Sequence, residues 1–357
     1  MKKLLILSLL ISTGIVVSCK SSGQKNTKTE KPEIPNDFSV VFYNCENLFD
    51  TINNLNVNDD EWVPTSKLKW NTKKYTKKVR NISRVISIVN SEELPALVGL
   101  GEIENRNVLN DLVNSPYLKD ANYQIVYLEN NGRRNVDEAL LIKPDRIKLL
   151  ISFNIPVVDS DNYEREILYA KVLVMEKDTL NIFVNHWRSR NGDMDKTESK
   201  RLPFASKLRE KVDSLFSKNA NANILIMGDF NDEPDNTSIS LILSAWPLTD
   251  KIYPESLYNL FYLPFKSGAG TVFHKRWLLF DQMIVSSNLL VPKEKGLHYK
   301  TGSAMVIEKK WMLYPTSAGS IPFGSFDDKT YLGGYSDHLP VTIMLKSKKE
   351  NEAEKHN

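Results

Sequence analysis

Asp229 and Asn231 stand two residues apart in Gly228-Asp-Phe-Asn231, which an apolar run at residues 224–227 delivers into a loop ending at Pro234. If the chain is still extended there, a carboxylate and a neutral amide project to the same side. That pair suits hydrolysis of a phosphate ester. The carboxylate can orient or deprotonate a water, and the amide can donate to charge building on a phosphoryl oxygen. Taken alone, the motif is also an ordinary tight turn whose Asp caps a following helix. The same kind of interruption recurs where other apolar runs end: at Asn44 with Glu46, at Glu102, at Asp137, at Asn185 with His186, and at Asp281 with Asp337-His338. So many separate interruptions argue for one shared site rather than a series of caps.

Elements must bring these residues together. Residues 38–48 are β-branched and aromatic and read as a strand, with Asn44 and Glu46 on one face and Cys45 on the other. Cys45 is then a small core residue rather than a nucleophile. Residues 51–72 read as a loop in which Trp62, Pro64 and Trp70 overhang the site. Tyr75, Val79, Ile82, Ile86 and Val89 repeat at spacings of 4, 3, 4 and 3, which predicts an amphipathic helix over 73–90. Its basic residues Lys73, Lys74, Lys77, Lys78, Arg80 and Arg84 read as a solvated face. A buried strand at 96–101 ends on Glu102, either a ligand or the N-cap of a helix starting near Ile103. Strands at 123–128, 139–143, 167–175 and 180–184 follow without helices between them, which argues antiparallel pairing. A helix at 199–217 buries Phe204, Leu208, Val212 and Leu215, and a short one follows Asp235. Residues 291–335 are irregular, and Lys309, Lys310, Trp311, Tyr314 and Tyr331 make them a candidate substrate-facing rim. A strand to Leu345 closes the domain.

The chain ends differ in character from this domain. Residues 1–18 carry Lys2 and Lys3, an apolar run at 4–17 and small Ser18 before Cys19, and the run is too short to span a bilayer. Val16-Val-Ser-Cys19 resembles the bacterial lipobox, with Val where Leu is usual, and so implies cleavage before Cys19 and lipidation of its sulfur. The alternative is an ordinary signal peptide with an incidental Cys. Residues 19–37 read as a flexible tether and 347–357 as a disordered tail. Only Cys45 lies beyond the tether, so the domain from 38 to 346 has no internal disulfide and needs a core. Loss of Lys2 and Lys3 would take the formal charge from +3 to +1. A near-neutral chain lacks the basic stripe by which many DNA binders hold phosphates, so phosphate recognition must be local or made by a metal.

In order and spelling, the polar interruptions resemble the endonuclease/exonuclease/phosphatase superfamily over residues 38–346. Gly228-Asp-Phe-Asn231 and Ser336-Asp-His338 are the most specific elements. The resemblance implies an α+β fold, a four-layer αββα sandwich of two mainly antiparallel sheets flanked by helices. It also implies Glu102 as direct ligand of a divalent metal, with Asn44, Glu46 and Asp337 around the ion. Mg²⁺ is the expected ion, with Mn²⁺ or Ca²⁺ as alternatives, because the donors are hard oxygens and no Cys/His cluster suggests zinc. Asp229 matches the residue that activates water, and Asn231 the one that hydrogen-bonds the phosphate. His338 matches the histidine on the scissile phosphate, oriented by Asp281. Asn185-His-Trp-Arg-Ser-Arg190 resembles the DNase and sphingomyelinase branches, giving His186 the place of a second histidine, paired with Asp137, and Asn185 and Arg190 contacts to phosphate. Arg134 matches a further phosphate contact, although Asn135 stands where the family pattern has Gly.

The function implied is metal-dependent phosphoester hydrolysis in the bacterial cell envelope, by in-line attack of water. Extracytoplasmic nucleic acid is the expected substrate. Alternatives are a sphingomyelinase-like or an inositol or sugar phosphate phosphoesterase, and, in a different class, a binding lipoprotein without turnover. The chain is expected to be a monomer, anchored to a membrane through its lipid and without a protein partner.

Overall fold

The computed structural model describes residues 36–54, 58–129, 136–159, 161, 164–190, 197–249, 251–293, 296–317 and 319–347. Cys19, Arg134, the tether through residue 35 and the tail from residue 348 lie outside them. In chain order the elements begin β1 (Asp37–Leu48), α1 (Thr72–Ser87), β2 (Leu97–Ile103), α2 (Arg106–Val113), β3 (Gln124–Val126) and β4 (Asp137–Ile142). Next come β5 (Ile147–Val158), β6 (Glu164–Val174), β7 (Asp178–His186), α3 (Leu202–Lys218), β8 (Ile224–Asp229), β9 (Ala245–Pro247) and β10 (Leu257–Asn259). After α4 (Tyr262–Lys266) follow β11 (Val272–His274), β12 (Arg276–Leu278), β13 (Asp281–Ser286) and α5 (Ser287–Leu290). The chain closes with β14 (His298–Tyr299), β15 (Met305–Val306), β16 (Leu313–Thr316), β17 (Gly319–Pro322), β18 (Phe326–Asp327), β19 (Thr330–Tyr331) and β20 (Val341–Lys346).

One sheet has the order β14-β20-β1-β2-β4-β3, with β15 also on β20; the other runs β5-β6-β7-β8-β13-β10-β9. Three pairs, β1 with β2, β7 with β8 and β9 with β10, are parallel, and the remaining ladders are antiparallel, so the sheets are mainly antiparallel as expected. The strand β5 is an addition to the elements read from sequence. Leu149, Leu150 and Ile151 are consecutive and a bulge falls between Leu149 and Ile151, so no period of two marks it. The short helix expected after Asp235 is a single wide turn at Ser238–Ile242.

Alternation sorts the strands into layers. Val41, Tyr43 and Cys45 of β1 and Val98 and Leu100 of β2 pack under Tyr75, Val79 and Ile82 of α1 and Leu109 and Leu112 of α2. On the far side, Phe183, Ile224, Ile226 and Ile284 pack against Phe204, Leu208 and Val212 of α3. The other faces of the two sheets meet each other: a Cβ added at Gly99 of β2 would lie 2.5 Å from Met227 Sδ of β8 and 3.1 Å from Phe42 of β1. The result is the four-layer αββα sandwich. Cys45 is buried, its thiol donates to the Tyr43 carbonyl, and burial pushes its pKa up, which makes it core.

The same alternation aims the site. Asn44 follows Phe42 by two residues, Asp229 follows Met227, His186 follows Val184 and Asp281 precedes Met283, so all four end the inter-sheet faces. Glu102 would by parity join Leu100 on the helix side. Its backbone is left-handed (φ 63°) and the β2–β4 register shifts between Leu100 and Ile103, which turns it toward the site. Glu46 (φ 51°) and Asn47 (φ 52°) make the matching irregularity in β1. Each such non-glycine residue carries roughly 1–3 kcal/mol of strain, held by the packing around it.

Gly228 tests this packing directly. It lies opposite Asn185 in the parallel β7–β8 ladder, where an added Cβ would sit 2.2 Å from the Asn185 carbonyl oxygen. Gly228→Ala should lower unfolding free energy by roughly 2–4 kcal/mol. An unchanged denaturation midpoint would contradict the close approach.

Candidate active site

Strand ends far apart in sequence converge on one group of polar side chains. Asn44 Nδ2 donates to Glu102 Oε1 (3.3 Å) and to Asp229 Oδ2 (3.1 Å), so one amide ties the two sheets together at the seam. Glu102 Oε2 accepts from the backbone N–H of Asn47 at 2.7 Å. Asp229 Oδ1 accepts from the backbone N–H of Asn231 at 2.9 Å, and the Asn231 amide donates to the Trp187 carbonyl at 3.1 Å. His186 Nε2 lies 3.7 Å from Glu102 Oε1 and 3.6 Å from Asp229 Oδ2. His338 Nε2 is 3.8 Å from Asp229 Oδ2, and its Nδ1 is 2.7 Å from Asp281 Oδ2. Asp229 is thus flanked by two imidazoles.

Burial and charge set the protonation states. Burial pushes the Asp229 carboxyl up to about 6, with Asp281 and Glu102 adding repulsion and His338 opposing them. Burial pulls His338 down, but Asp281 and Asp229 outweigh it and hold the imidazolium well above its ordinary value. Asp229 can therefore take a proton near neutrality while His338 keeps one to give. The sign follows: Asp229 is protonated and inert as a base below about pH 6. Turnover should fall about tenfold per unit on the acid side of that value and hold well into the alkaline range. A kcat/KM profile flat from pH 4.5 to 7 would count against Asp229 as the base.

A second carboxylate group adjoins the first. Glu102 is half-buried, and Asp337 opens to a cleft of about 610 Å³ that Glu46, Trp62 and Phe326 also line. Enclosure pushes the Asp337 carboxyl up to about 7, opposed by His338, with Glu46 and Glu102 adding repulsion. Crowded carboxylates that repel one another fit a divalent cation, and Glu102 and Asp337 offer the hard oxygens Mg²⁺ takes. Asp229, Asp281 and His338 also lie with ligand atoms within 4.8 Å of one another. With His338 held protonated and bonded to Asp281, the group is suited to proton transfer more than to holding a cation.

Other residues fall differently from the sequence reading. Asp137, expected beside His186, stands opposite Ile103 on the helix side, where it accepts from Tyr127 Oη at 3.1 Å. Glu138, buried and two residues before Leu140, shares the inter-sheet face with His186. Asn185 is fully buried and its amide is used within the sheet, accepting from Trp187 Nε1 (3.1 Å) and donating to the Met227 carbonyl (3.3 Å), so it does not face phosphate. Arg190 braces the loop carrying Asn231, donating to the Asn231 carbonyl, Asp232 Oδ1 (both 2.7 Å) and Asn236 Oδ1 (2.6 Å). Asp232 is held from the other side by Arg201 (2.7 Å) and Ser238 (2.6 Å). Arg134 lies outside the described residues. Lys78 is buried, not solvated, and binds Glu46 at 2.9 Å. Its spacing of 3 from Tyr75 and 4 to Ile82 is the signal that it lies on the apolar face.

Over residues 39–347 the chain matches the Endonuclease/Exonuclease/phosphatase family. No curated protein matches it in sequence. Among solved structures, a D. rerio TDP2 humanised by 14 mutations is similar at a TM-score of 0.54 and 14% identity, covering 87% of this chain and 100% of that one. An endonuclease/exonuclease/phosphatase family protein from Bacteroides thetaiotaomicron gives 0.53 at 14% identity, covering 88% and 100%. D. rerio TDP2 complexed with a single strand DNA product gives 0.53 at 13% identity, covering 87% and 99%. At these identities the likeness is one of fold.

Proposed function

The chain belongs to the endonuclease/exonuclease/phosphatase family, and from that premise we propose that it is a Mg²⁺-dependent phosphodiesterase acting on extracytoplasmic nucleic acid. The observation that carries the reading is Asp229, buried between His186 and His338 and bonded through Asn44 to Glu102. Asp229 takes the proton of the attacking water, held in place by the Asn231 backbone N–H. His338, protonated and fixed by Asp281, donates toward a phosphoryl or leaving oxygen, and His186 faces the same space from the other side. The bound ion would be held by Glu102 and Asp337 and would offset charge on the phosphate. A binder without turnover has no need of a base with a pKa near 6 beside a charged acid. The D. rerio TDP2 that shares this fold was crystallised with a single strand DNA product, which supports nucleic acid as first choice.

One observation favours a second substrate class. The cleft beside Asp337 is lined by Asp60, Glu61 and Asp328 against Lys67 and Lys329, with Trp62 and Phe326 as aromatic walls. An acidic aromatic cleft suits a phosphodiester with an uncharged or cationic alcohol better than a polyanion. One panel separates these readings: DNA, RNA, sphingomyelin, inositol phosphates and a generic phosphodiester, each with and without Mg²⁺. Hydrolysis of none of them in either condition would end the proposal.

For location, we propose a lipid anchor at Cys19. No helix among the described residues is long and apolar enough to cross a membrane. Cys19→Ala should leave the domain folded and move the protein from the membrane to the soluble fraction, because the anchor is covalent and outside the core. Unchanged recovery with membranes would sink the lipoprotein reading.

A further inference from the structure

Lys78 is a lysine in the wrong place for solubility. It is 2% exposed, beneath the carboxylates of the site. Its ammonium donates to the Glu46 carbonyl (2.5 Å), to Glu46 Oε2 (2.9 Å) and to Ser325 Oγ (2.6 Å), which uses all three of its N–H groups. The carboxylate it meets is equally engaged. The backbone N–H of Ser325 donates to Glu46 Oε1 and Oε2 at 2.9 and 2.7 Å, and that of Phe326 reaches Oε1 at 3.4 Å. To ligate a metal, Glu46 would have to give up part of a satisfied, buried charge pair, and breaking such a pair is strongly destabilising.

We propose that Lys78 takes the place of a second metal ion beside Glu46. The ammonium fixes Glu46 as a strut between α1 and the segment carrying Ser325, and leaves Glu102 and Asp337 to bind a single divalent ion. Charge supports the assignment: Lys78 cancels Glu46, so of the three carboxylates in this group only Glu102 and Asp337 are left uncompensated to hold an ion. The proposal rests on the metal-dependent reading above and deepens it by naming the number of ions and the residue that does not bind them.

The test is Mn²⁺ binding to the full chain, by calorimetry for affinity and by electron paramagnetic resonance for the count, with folding followed by near-UV circular dichroism. Wild type should bind one Mn²⁺ per chain. Glu102→Gln should weaken binding by about 100-fold or more. Glu46→Gln alone should weaken it about tenfold by loss of charge, and Lys78→Met alone should tighten it by a similar factor. The double variant Glu46→Gln/Lys78→Met, which removes both charges, should bind within about threefold of wild type. A double variant as weak as Glu102→Gln would make Glu46 a ligand and overturn the proposal. So would two ions per wild-type chain, a result that needs no variant to fold. If wild type binds no Mn²⁺ at all, this proposal and the metal-dependent reading fall together. If the ion binds and the double variant loses it, only this proposal falls.

Discussion

Glu102→Gln should lower kcat/KM by about 10³-fold or more, and excess chelator should reduce the wild type to the same level. Glu102 has one oxygen on the Asn47 N–H (2.7 Å) and the other on the Asn44 amide (3.3 Å). A glutamine has the same shape and keeps one acceptor, but its NH₂ must then face a donor. The folded state should therefore lose about 1–3 kcal/mol, the penalty for an unmade buried hydrogen bond, which is far less than the loss of rate. The left-handed backbone at φ 63° treats Glu and Gln alike, so strain does not confuse the comparison. The separation is the point of the experiment. A variant equally defective in thermal stability and in rate would make Glu102 a structural hub that ties Asn44 and Asn47 together. Full turnover by wild type in chelator would remove the ion from the mechanism altogether.

Much of this site is legible in the amino-acid sequence because two-residue periodicity is strict. Asn44 and Asp229 can be placed on faces from Phe42 and Met227, whereas the four-layer sandwich is implied by the family resemblance and not by periodicity. Where alternation breaks, legibility ends. Glu102 can be read as a ligand or as a helix cap; the cap is Asn105, and a bulge frees Glu102 for the site. Asp137 and Glu138 are neighbours of the same chemistry, and only the β2–β4 register, with Ile103 opposite Asp137, decides which meets the seam. Arg190 and Asn185 carry groups that bind phosphate in other settings, yet here both are used internally, one on the Asn231 loop and one in the sheet. Composition cannot show that a donor is already satisfied. Lys78 illustrates the opposite failure: a charge count places it in solvent, while its helical position beside Tyr75, Val79 and Ile82 points inward.

Asp281→Asn should lower kcat by roughly 10²- to 10⁴-fold with little change in substrate affinity, the range expected when a general acid loses the group that charges and orients it. Asp281 is fully buried and holds His338 Nδ1 at 2.7 Å. Its other oxygen, Oδ1, has no hydrogen-bond partner among the described residues, so the His338 ring is the side chain that the carboxylate engages there. Asparagine keeps the size but removes the charge that, with Asp229, keeps His338 protonated well above its ordinary pKa. In the variant the imidazole should lose its proton at lower pH, so the alkaline limb of the rate profile should move down toward neutrality. That shift separates an orienting role from a merely structural one. His338→Ala removes the acid outright and should act at least as strongly. Combining it with Asp281→Asn should add little, because the Asp works through its His and a unit already broken cannot be broken again. Full additivity in the double variant would show that Asp281 acts on something else, with Asp229 the nearest candidate, since its own pKa responds to the Asp281 charge. His186 provides the contrast. Its Nε2 sits 3.6 Å from Asp229 Oδ2, and its face of the seam carries Glu138. With Asp137 bonded to Tyr127 Oη on the helix side, Asp137→Asn should leave the rate nearly unchanged, which the same kcat measurement checks.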